Sequence, residues 1–154
     1  MARKHDLLLV TDEIYSGLSY DAPAESVLTR TGMRERTIYL NGLSKMWAMT
    51  GFRIGYACAP APLIEAMMKI HQYTMLCASS ISQKAAVEAL RFGRSDGQQM
   101  LAEYRQRRNF VHASLNDIGL PCTRPRGAFY AFPSVAHLGL SSHDFSVRLL
   151  EEKN

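Results

Sequence analysis

The sequence lacks the patterns that mark disulfide-rich and metal-binding proteins. Its three cysteines, Cys58, Cys77 and Cys122, are widely spaced and form no CxxC pair. We therefore expect buried free thiols in a reducing compartment rather than disulfide bonds. The five histidines fall at no spacing that is typical of metal ligands, so no zinc or other metal site is predicted.

Long hydrophobic runs and a basic stripe are also missing. No apolar run approaches the roughly 20 residues that a membrane-spanning helix requires, and the run at residues 7–10 is too short for a signal peptide. We therefore expect no membrane partner and a cytoplasmic location. The net charge is +4, but the arginines around residues 91–108 match no known nucleic-acid-binding motif, which favours a solvated helix face over a nucleic-acid surface.

What is present is the composition and patterning of a globular α/β protein. Of the 154 residues, 47% are hydrophobic and 21% are charged, which is enough to build a core and argues against disorder. The continuous apolar run at residues 7–10 predicts a strand buried on both faces of a parallel sheet. Residues 37–41 and 52–59 predict two further strands, and residues 16–36 read as a loop.

Helical patterns fill most of the second half of the chain. One helix is predicted to begin near Pro62. A second runs from a cap at Ser79 or Ser80 to Phe92, with Ile81, Ala85, Ala89 and Leu90 facing inward. A long helix follows over residues 97–118. Residues 122–135 predict two short strands, and a last helix follows over 145–152. We therefore divide the chain into part of a large α/β domain, 1–110, and the start of a smaller α+β domain, 111–154.

Polar residues with a shared chemical purpose follow the first two predicted strands. Lys45 adjoins Ser44, and Arg53 lies beyond a glycine turn. A lysine amine can carry an aldehyde cofactor, and a nearby arginine suits the cofactor's phosphate. Upstream, Asp12 and Tyr15 follow the first apolar run, where ligands bind in open α/β sheets. An acid and a phenol in this position are suited to a pyridine nitrogen and its neighbouring hydroxyl.

Four of these five residues also have a structural alternative. Lys45 alone would be read as a surface lysine, and Tyr15 as a half-buried tyrosine. An aspartate after a strand commonly forms an Asx turn or a helix cap, which is the alternative for Asp12. The side chain of Ser44 is also compatible with pointing away from the lysine. The combination of these residues, rather than any one of them, indicates a cofactor site.

The segments 12–15 and 44–56 together resemble the cofactor site of class I/II aminotransferases, which are fold-type I, aspartate-aminotransferase-like enzymes. The run Gly127-Ala128-Phe129-Tyr130 resembles the entry to the small domain of this family, and the resemblance extends over residues 3–153. It implies the C-terminal portion of the large domain, a mostly parallel sheet with flanking helices, and the start of the small domain. Carbon–sulfur lyases and aminocyclopropane-carboxylate synthases share the same site residues.

The resemblance implies pyridoxal 5′-phosphate as the cofactor. Lys45 would bind it covalently and later act as the base, Asp12 would hold the pyridine nitrogen, and Tyr15 would donate to the phenolic oxygen. Arg53 and Ser44 would bind the phosphate. Many members of the family carry a phosphate-binding hydroxyl where this chain has Gly42, so one phosphate contact is expected to be missing or supplied elsewhere.

Other elements of the family site have no counterpart in the sequence. These are the glycine-containing phosphate loop, the aromatic that stacks on the pyridine, and the arginine that clamps the substrate carboxylate. We therefore expect a chain truncated at both ends, with little or no turnover by itself. The function implied is amino transfer between an α-amino acid and a 2-oxo acid, in a homodimer or self-associating chain. The alternatives are a lyase of the same fold and a non-catalytic fragment.

Overall fold

A three-stranded mixed sheet lies at the centre of the fold, as seen in a computed structural model that describes residues 1–153. The strands are β1 (Leu9–Asp12), β2 (Thr37–Gly42) and β3 (Gly55–Cys58), in the order β1-β2-β3. β1 and β2 are parallel, with Leu9 opposite Thr37, whereas β2 and β3 are antiparallel, with Gly42 opposite Gly55. The three strands predicted from the sequence are thus found, although the first begins and ends two residues later than predicted and the third is shorter.

The expected burial of the first strand is wrong. Leu7, Leu8 and Val10 are 48%, 59% and 68% exposed. β1 is an edge strand of this sheet, and β2 is its one partner within residues 1–153. A continuous apolar run predicts a strand that is covered on both faces, but the run itself does not supply the covering elements.

Four α-helices are described. They are α1 (Ala61–Thr74), α2 (Ser80–Phe92), α3 (Arg94–Asp117) and α4 (Ser142–Glu152). Pro62 lies in the first turn of α1, as predicted. Ser141 caps α4, because its Oγ accepts a 3.1 Å hydrogen bond from the Asp144 N–H. Ser79 precedes α2 as predicted but makes no capping hydrogen bond through its side chain.

The face of α2 that packs inward differs from the predicted one. Ile81 and Leu90 are 74% and 53% exposed, whereas Ala86 is buried in a cluster with Leu43 and Met49. Ala85 and Ala89 pack against the same cluster, as predicted. The small side chains of α2 therefore face the loop that follows β2, which requires a close approach that larger residues would prevent.

The two strands predicted over residues 122–135 do not form. The segment makes only two isolated bridges, Cys122 to Pro133 and Gly127 to Ser19. Prolines at 121, 125 and 133 lack the N–H group that a continuous strand ladder needs. The predicted domain boundary between residues 110 and 111 falls inside the continuous helix α3, and the division into two domains stays a prediction.

The cysteines are more exposed than the sequence analysis predicted. All three cysteines are free, but Cys58 and Cys77 are exposed, so the expectation of buried thiols holds for Cys122 alone. None of the helices within residues 1–153 is long and apolar enough to cross a membrane.

Candidate functional site

The topology of the sheet brings the predicted polar residues to one edge. Asp12 is the last residue of β1, and β2 runs parallel to it and ends at Gly42. β3 runs in the opposite direction and begins at Gly55, which is paired with Gly42. The loop that leaves β2 and the residues that enter β3 therefore lie at the carboxyl end of β1. Asp12, Lys45 and Arg53 therefore lie at the edge of the sheet that is formed by the carboxyl ends of β1 and β2.

The loop that carries Lys45 is held by the hydrophobic core. Leu43 is 1% exposed and Met49 is 8% exposed, and both belong to the cluster under α2. The Trp47 Nε1–H donates a 3.1 Å hydrogen bond to the Gly93 carbonyl. With these residues anchored, Lys45 stays half-buried at the surface of a fixed loop.

Met46 links this loop to the segment that carries Tyr15. Its side chain lies between Gly17 and Gly97: a Cβ atom at Gly17 would come 2.5 Å from the Met46 sulfur, and one at Gly97 would come 2.7 Å from the Met46 Cε. Both distances are shorter than van der Waals contact, so a side chain at either position would force the end of the Met46 side chain to move. The residue beside the lysine thus packs between the turn after Tyr15 and helix α3.

The Lys45 amine lies over two neighbouring aromatic rings. Its Nζ is 5.6 Å from the centroid of the Tyr15 ring and 5.4 Å from that of Phe129, distances at which a cation is attracted to a ring face. Within residues 1–153 the amine forms no ion pair with a carboxylate. It is therefore held in place without being neutralised by a protein acid.

Phe129 and Tyr130 belong to the same cluster, which the sequence analysis did not predict. The Tyr15 and Tyr130 hydroxyls share a hydrogen bond, and the edge of the Phe129 ring meets the Tyr15 ring at a centroid distance of 5.4 Å. The run from Gly127 to Tyr130 was noted only for its family resemblance. Sequence spacing gave no signal, because the contact joins residues that are 115 positions apart.

Backbone hydrogen bonds fix the segment that delivers these two aromatics. The Ala128 N–H donates to the Leu18 carbonyl at 2.9 Å, and the Tyr20 N–H donates to the Arg126 carbonyl at 2.9 Å. Ala128 has a φ of 55°, a left-handed conformation that is uncommon for a residue with a Cβ. This turn conformation immediately precedes Phe129 and Tyr130, whose rings both contact the Tyr15 ring.

Within residues 1–153, the side chains of Asp12, Ser44 and Arg53 form no hydrogen bond or ion pair with Lys45. The Asp12 Oδ1 accepts a 3.0 Å hydrogen bond from the Ile14 N–H, which is the Asx turn foreseen as its structural alternative. The Arg53 Nη1 donates to the Thr50 carbonyl at 2.9 Å. Asp12 and Arg53 are exposed and Ser44 is half-buried. The structure thus brings Tyr15 and Lys45 together and leaves Asp12 and Arg53 with local bonds and free polar atoms.

The environment of Tyr130 changes its acidity. The hydrogen bond with Tyr15 raises the pKa of Tyr130 above that of a free phenol, while the charge of Lys45 opposes the rise. Tyr130 therefore stays protonated over the neutral pH range, and its hydroxyl remains a hydrogen-bond donor.

Comparison with known proteins identifies the family to which this chain is similar. The family model of aminotransferase class I and II matches residues 1–154. Aspartate aminotransferase of Pyrococcus abyssi is 44% identical over 154 residues, which are 98% of this chain and 40% of that protein. Aromatic-amino-acid aminotransferase 2 of Thermococcus litoralis is 43% identical, with the same coverage.

A solved structure extends the likeness from sequence to fold. The crystal structure of an aromatic aminotransferase from Pyrococcus horikoshii OT3 superposes with a TM-score of 0.93 at 42% identity, covering 98% of this chain and 41% of that one. The chain thus spans about 40% of the length of the relatives that it matches. The family model, the relatives and the superposition agree, and the chain belongs to the class I and II aminotransferase family.

Proposed function

We propose that this chain carries the lysine-bearing part of a pyridoxal 5′-phosphate site and serves amino transfer between an α-amino acid and a 2-oxo acid. One observation carries the proposal. The Lys45 amine lies beside Tyr15, free of any ion pair within residues 1–153, at the sheet edge that also holds Asp12 and Arg53. Membership of the family makes this cofactor the natural occupant.

The donor set fits the cofactor group by group. The Lys45 amine suits the aldehyde, the Asp12 carboxylate suits the protonated pyridine nitrogen, and the Tyr15 hydroxyl suits the phenolic oxygen. Arg53 and Ser44 suit the phosphate. Asp12 retains a second carboxylate oxygen beyond the one that accepts from Ile14, so its Asx turn and a ligand role are compatible. When bound, the cofactor supplies an electron sink for the carbanion formed at the substrate's α-carbon.

The residues of the chain have separate tasks around that group. With the cofactor bound, the Lys45 amine would act as the base that moves a proton between the substrate's α-carbon and the C4′ carbon of the cofactor. Asp12 keeps a negative charge beside the ring nitrogen. Phe129, at 5.4 Å from the Lys45 Nζ, covers one side of the amine and limits the access of water.

The similar proteins favour amino transfer over the alternatives. Those described above are named as aminotransferases and differ in the amino acid named, aspartate or an aromatic one. A lyase of the same fold would release ammonia, so product analysis distinguishes the two chemistries: a 2-oxo acid formed without ammonia indicates transfer. A homodimer or other self-association and a cytoplasmic location complete the proposal.

Turnover by the 154-residue chain alone is expected to be low. Asp12 and Arg53 are exposed and Lys45 is only half-buried, and water around these groups weakens their interaction with developing charge. A steady-state transamination rate close to that of a full-length relative would contradict this expectation.

A cofactor titration with matched variants tests the proposal. Pyridoxal 5′-phosphate is added to the chain and followed by absorbance, and Lys45→Ala is compared with Lys84→Ala, which removes an exposed lysine of α2. The proposal predicts saturable binding that Lys45→Ala abolishes and Lys84→Ala preserves. Equal binding by both variants would show that the amine of Lys45 is not the site.

A further inference from the structure

The strongest unexplained contact lies between two segments that are far apart in the sequence. The Tyr15 and Tyr130 hydroxyls share a hydrogen bond, and their ring centroids are 5.5 Å apart at an interplanar angle of 74°. Tyr15 faces Lys45. A residue of the second half of the chain is thus bonded to a group that the proposed function places on the cofactor.

The position of Tyr130 is determined by its neighbours rather than by the hydroxyl bond alone. Phe129, the preceding residue, stacks on Tyr104 of α3 at a centroid distance of 5.6 Å. The Ala128 N–H is bonded to the Leu18 carbonyl at 2.9 Å. A hydroxyl carried by so constrained a segment can orient a partner, because little conformational freedom is lost when the bond forms.

We propose that Tyr130 is a positioning residue of the Lys45 site. Its hydroxyl is hydrogen-bonded to the Tyr15 hydroxyl, and this bond holds the Tyr15 phenol in place and directs the hydrogen bond that Tyr15 donates. The inference rests on the proposed function for the group that Tyr15 faces, but the pairing itself exists in the chain without cofactor. Tyr130 has no contact with Lys45 of the kind that Tyr15 has, so it acts through Tyr15.

The strength of Tyr15 as a hydrogen-bond donor therefore depends on its bond with Tyr130. If Tyr130 donates to Tyr15, the Tyr15 oxygen gains partial positive character and becomes a stronger donor to a phenolate-like acceptor. The charged and titratable side chains around Tyr130 are Tyr15, Lys45, Tyr20, Tyr104, Arg107 and Arg108. Of these, Tyr15 acts on Tyr130 through the hydrogen bond, and Lys45 opposes it through its charge.

The first test uses the chain without cofactor. Tyrosine is labelled with carbon-13 at the phenolic carbon, and the Tyr130 resonance, assigned from its loss in Tyr130→Phe, is titrated with pH by NMR. We expect Tyr15→Phe to move the titration of Tyr130 to lower pH, and Tyr73→Phe, which removes an exposed phenol of α1, to leave it unchanged. A Tyr130 titration that is the same in Tyr15→Phe and in the unaltered chain overturns the pairing.

The second test uses the chain loaded with pyridoxal 5′-phosphate. The midpoint of the pH-dependent absorbance change of the bound cofactor should shift in the same direction in Tyr130→Phe and Tyr15→Phe, with no shift in Tyr73→Phe. A merely structural role of Tyr130 would lower cofactor affinity without moving this midpoint, and that result overturns the inference. Failure of every variant to bind the cofactor contradicts the proposed function, and the cofactor-free titration then decides the pairing alone.

Discussion

Asp12 shows how one residue can serve both a local turn and a ligand. Its Oδ1 accepts from the Ile14 N–H at 3.0 Å, and the side chain is exposed. An aspartate after a strand commonly forms such a turn, and this local bond leaves the negative charge and the second oxygen available. The two roles can therefore be separated by a substitution that preserves the shape and removes the charge.

Asp12→Asn is expected to retain the turn and weaken cofactor binding. The amide oxygen still accepts from Ile14, so the free energy of unfolding should change by less than about 0.5 kcal/mol. The charge opposite the pyridine nitrogen is lost, which should weaken pyridoxal 5′-phosphate binding about tenfold or more. Asp12→Ala, the comparison variant, should lose both the turn and the cofactor affinity. Urea unfolding and absorbance titration measure the two effects; unchanged affinity in Asp12→Asn would leave Asp12 with the turn alone.

Tyr20 makes the stability of the fold depend on alkaline pH. The residue is 4% exposed, and burial raises its pKa, while Arg108, whose guanidinium carbon lies 4.6 Å from the ring centroid, opposes the rise. Because the folded pKa exceeds the unfolded value of about 10, the contribution of Tyr20 is fully present below that pH. It is lost as the pH rises through the folded pKa.

Tyr20→Phe is therefore expected to reduce the alkaline loss of stability. Tyr56 and Tyr130 have raised pKa values as well, so part of the loss should persist. Urea unfolding across the alkaline range measures the free energy of unfolding, with Tyr73→Phe as the exposed control. An alkaline decline equally steep in Tyr20→Phe and in the unaltered chain would refute the assignment to Tyr20.

At the scale of elements, the lysine loop is shaped by its packing on helices rather than by its own sequence. Gly93 joins α2 to α3, and a Cβ there would lie 2.9 Å from the Trp47 Cδ1 and 2.8 Å from the Ala89 carbonyl oxygen. Ser82 of α2 also donates a 2.7 Å hydrogen bond to the Phe52 carbonyl, near the end of the loop. The geometry around Lys45 thus depends on how closely the helices approach it.

Gly93→Ala is expected to destabilise the fold by about 1–3 kcal/mol, because the new methyl group displaces the Trp47 ring and the loop with it. Gly93 has a φ of −81°, so alanine adds no backbone strain and the effect is steric. Gly51→Ala is the control, since a Cβ at Gly51 meets nothing within 4 Å. Urea unfolding compares the two; equal effects would mean that the Trp47 contact is not restrictive.

The sequence predicted the elements better than their surroundings. Local pattern places β2 and the start of α1 well, because β-branched content and Pro62 act within a few residues. Burial of the apolar run before Asp12 depends on the elements that pack against it. The hydrophobic pattern of the run therefore predicted more burial than the structure shows. The same holds for the candidate site. Lys45 and Tyr15 were predicted from the sequence segments in which they lie, whereas the contact of Tyr130 with Tyr15 arises only from the tertiary structure.

At the scale of the whole molecule, the exposed apolar surface is extensive. Side chains at one end of α1 are largely uncovered, with Ile70, Tyr73, Met75 and Leu76 at 68%, 85%, 69% and 78% exposure. Leu8 and Val10 at the edge of the sheet are exposed as well. Exposed apolar side chains in this number favour association with another protein surface, which supports the proposed self-association.

Ile70→Lys is expected to reduce self-association of the chain. A charge placed at a contact between copies must be desolvated, which opposes association. Gln72→Lys is the control, since it adds the same charge to α1 at an exposed position that is already polar. Sedimentation velocity over a range of protein concentrations measures the species present. A chain that stays monomeric at every concentration would contradict the proposed association.

The measurement that tests the central claim most directly is covalent capture of the cofactor. Pyridoxal 5′-phosphate is added to the purified chain, the adduct is reduced with borohydride, and the modified peptide is mapped. The chain has five lysines, at positions 4, 45, 69, 84 and 153, so the four others serve as internal controls. Stoichiometric labelling confined to Lys45 is the predicted result. Labelling spread over several lysines, or none at all, would contradict the claim that this loop recognises the cofactor.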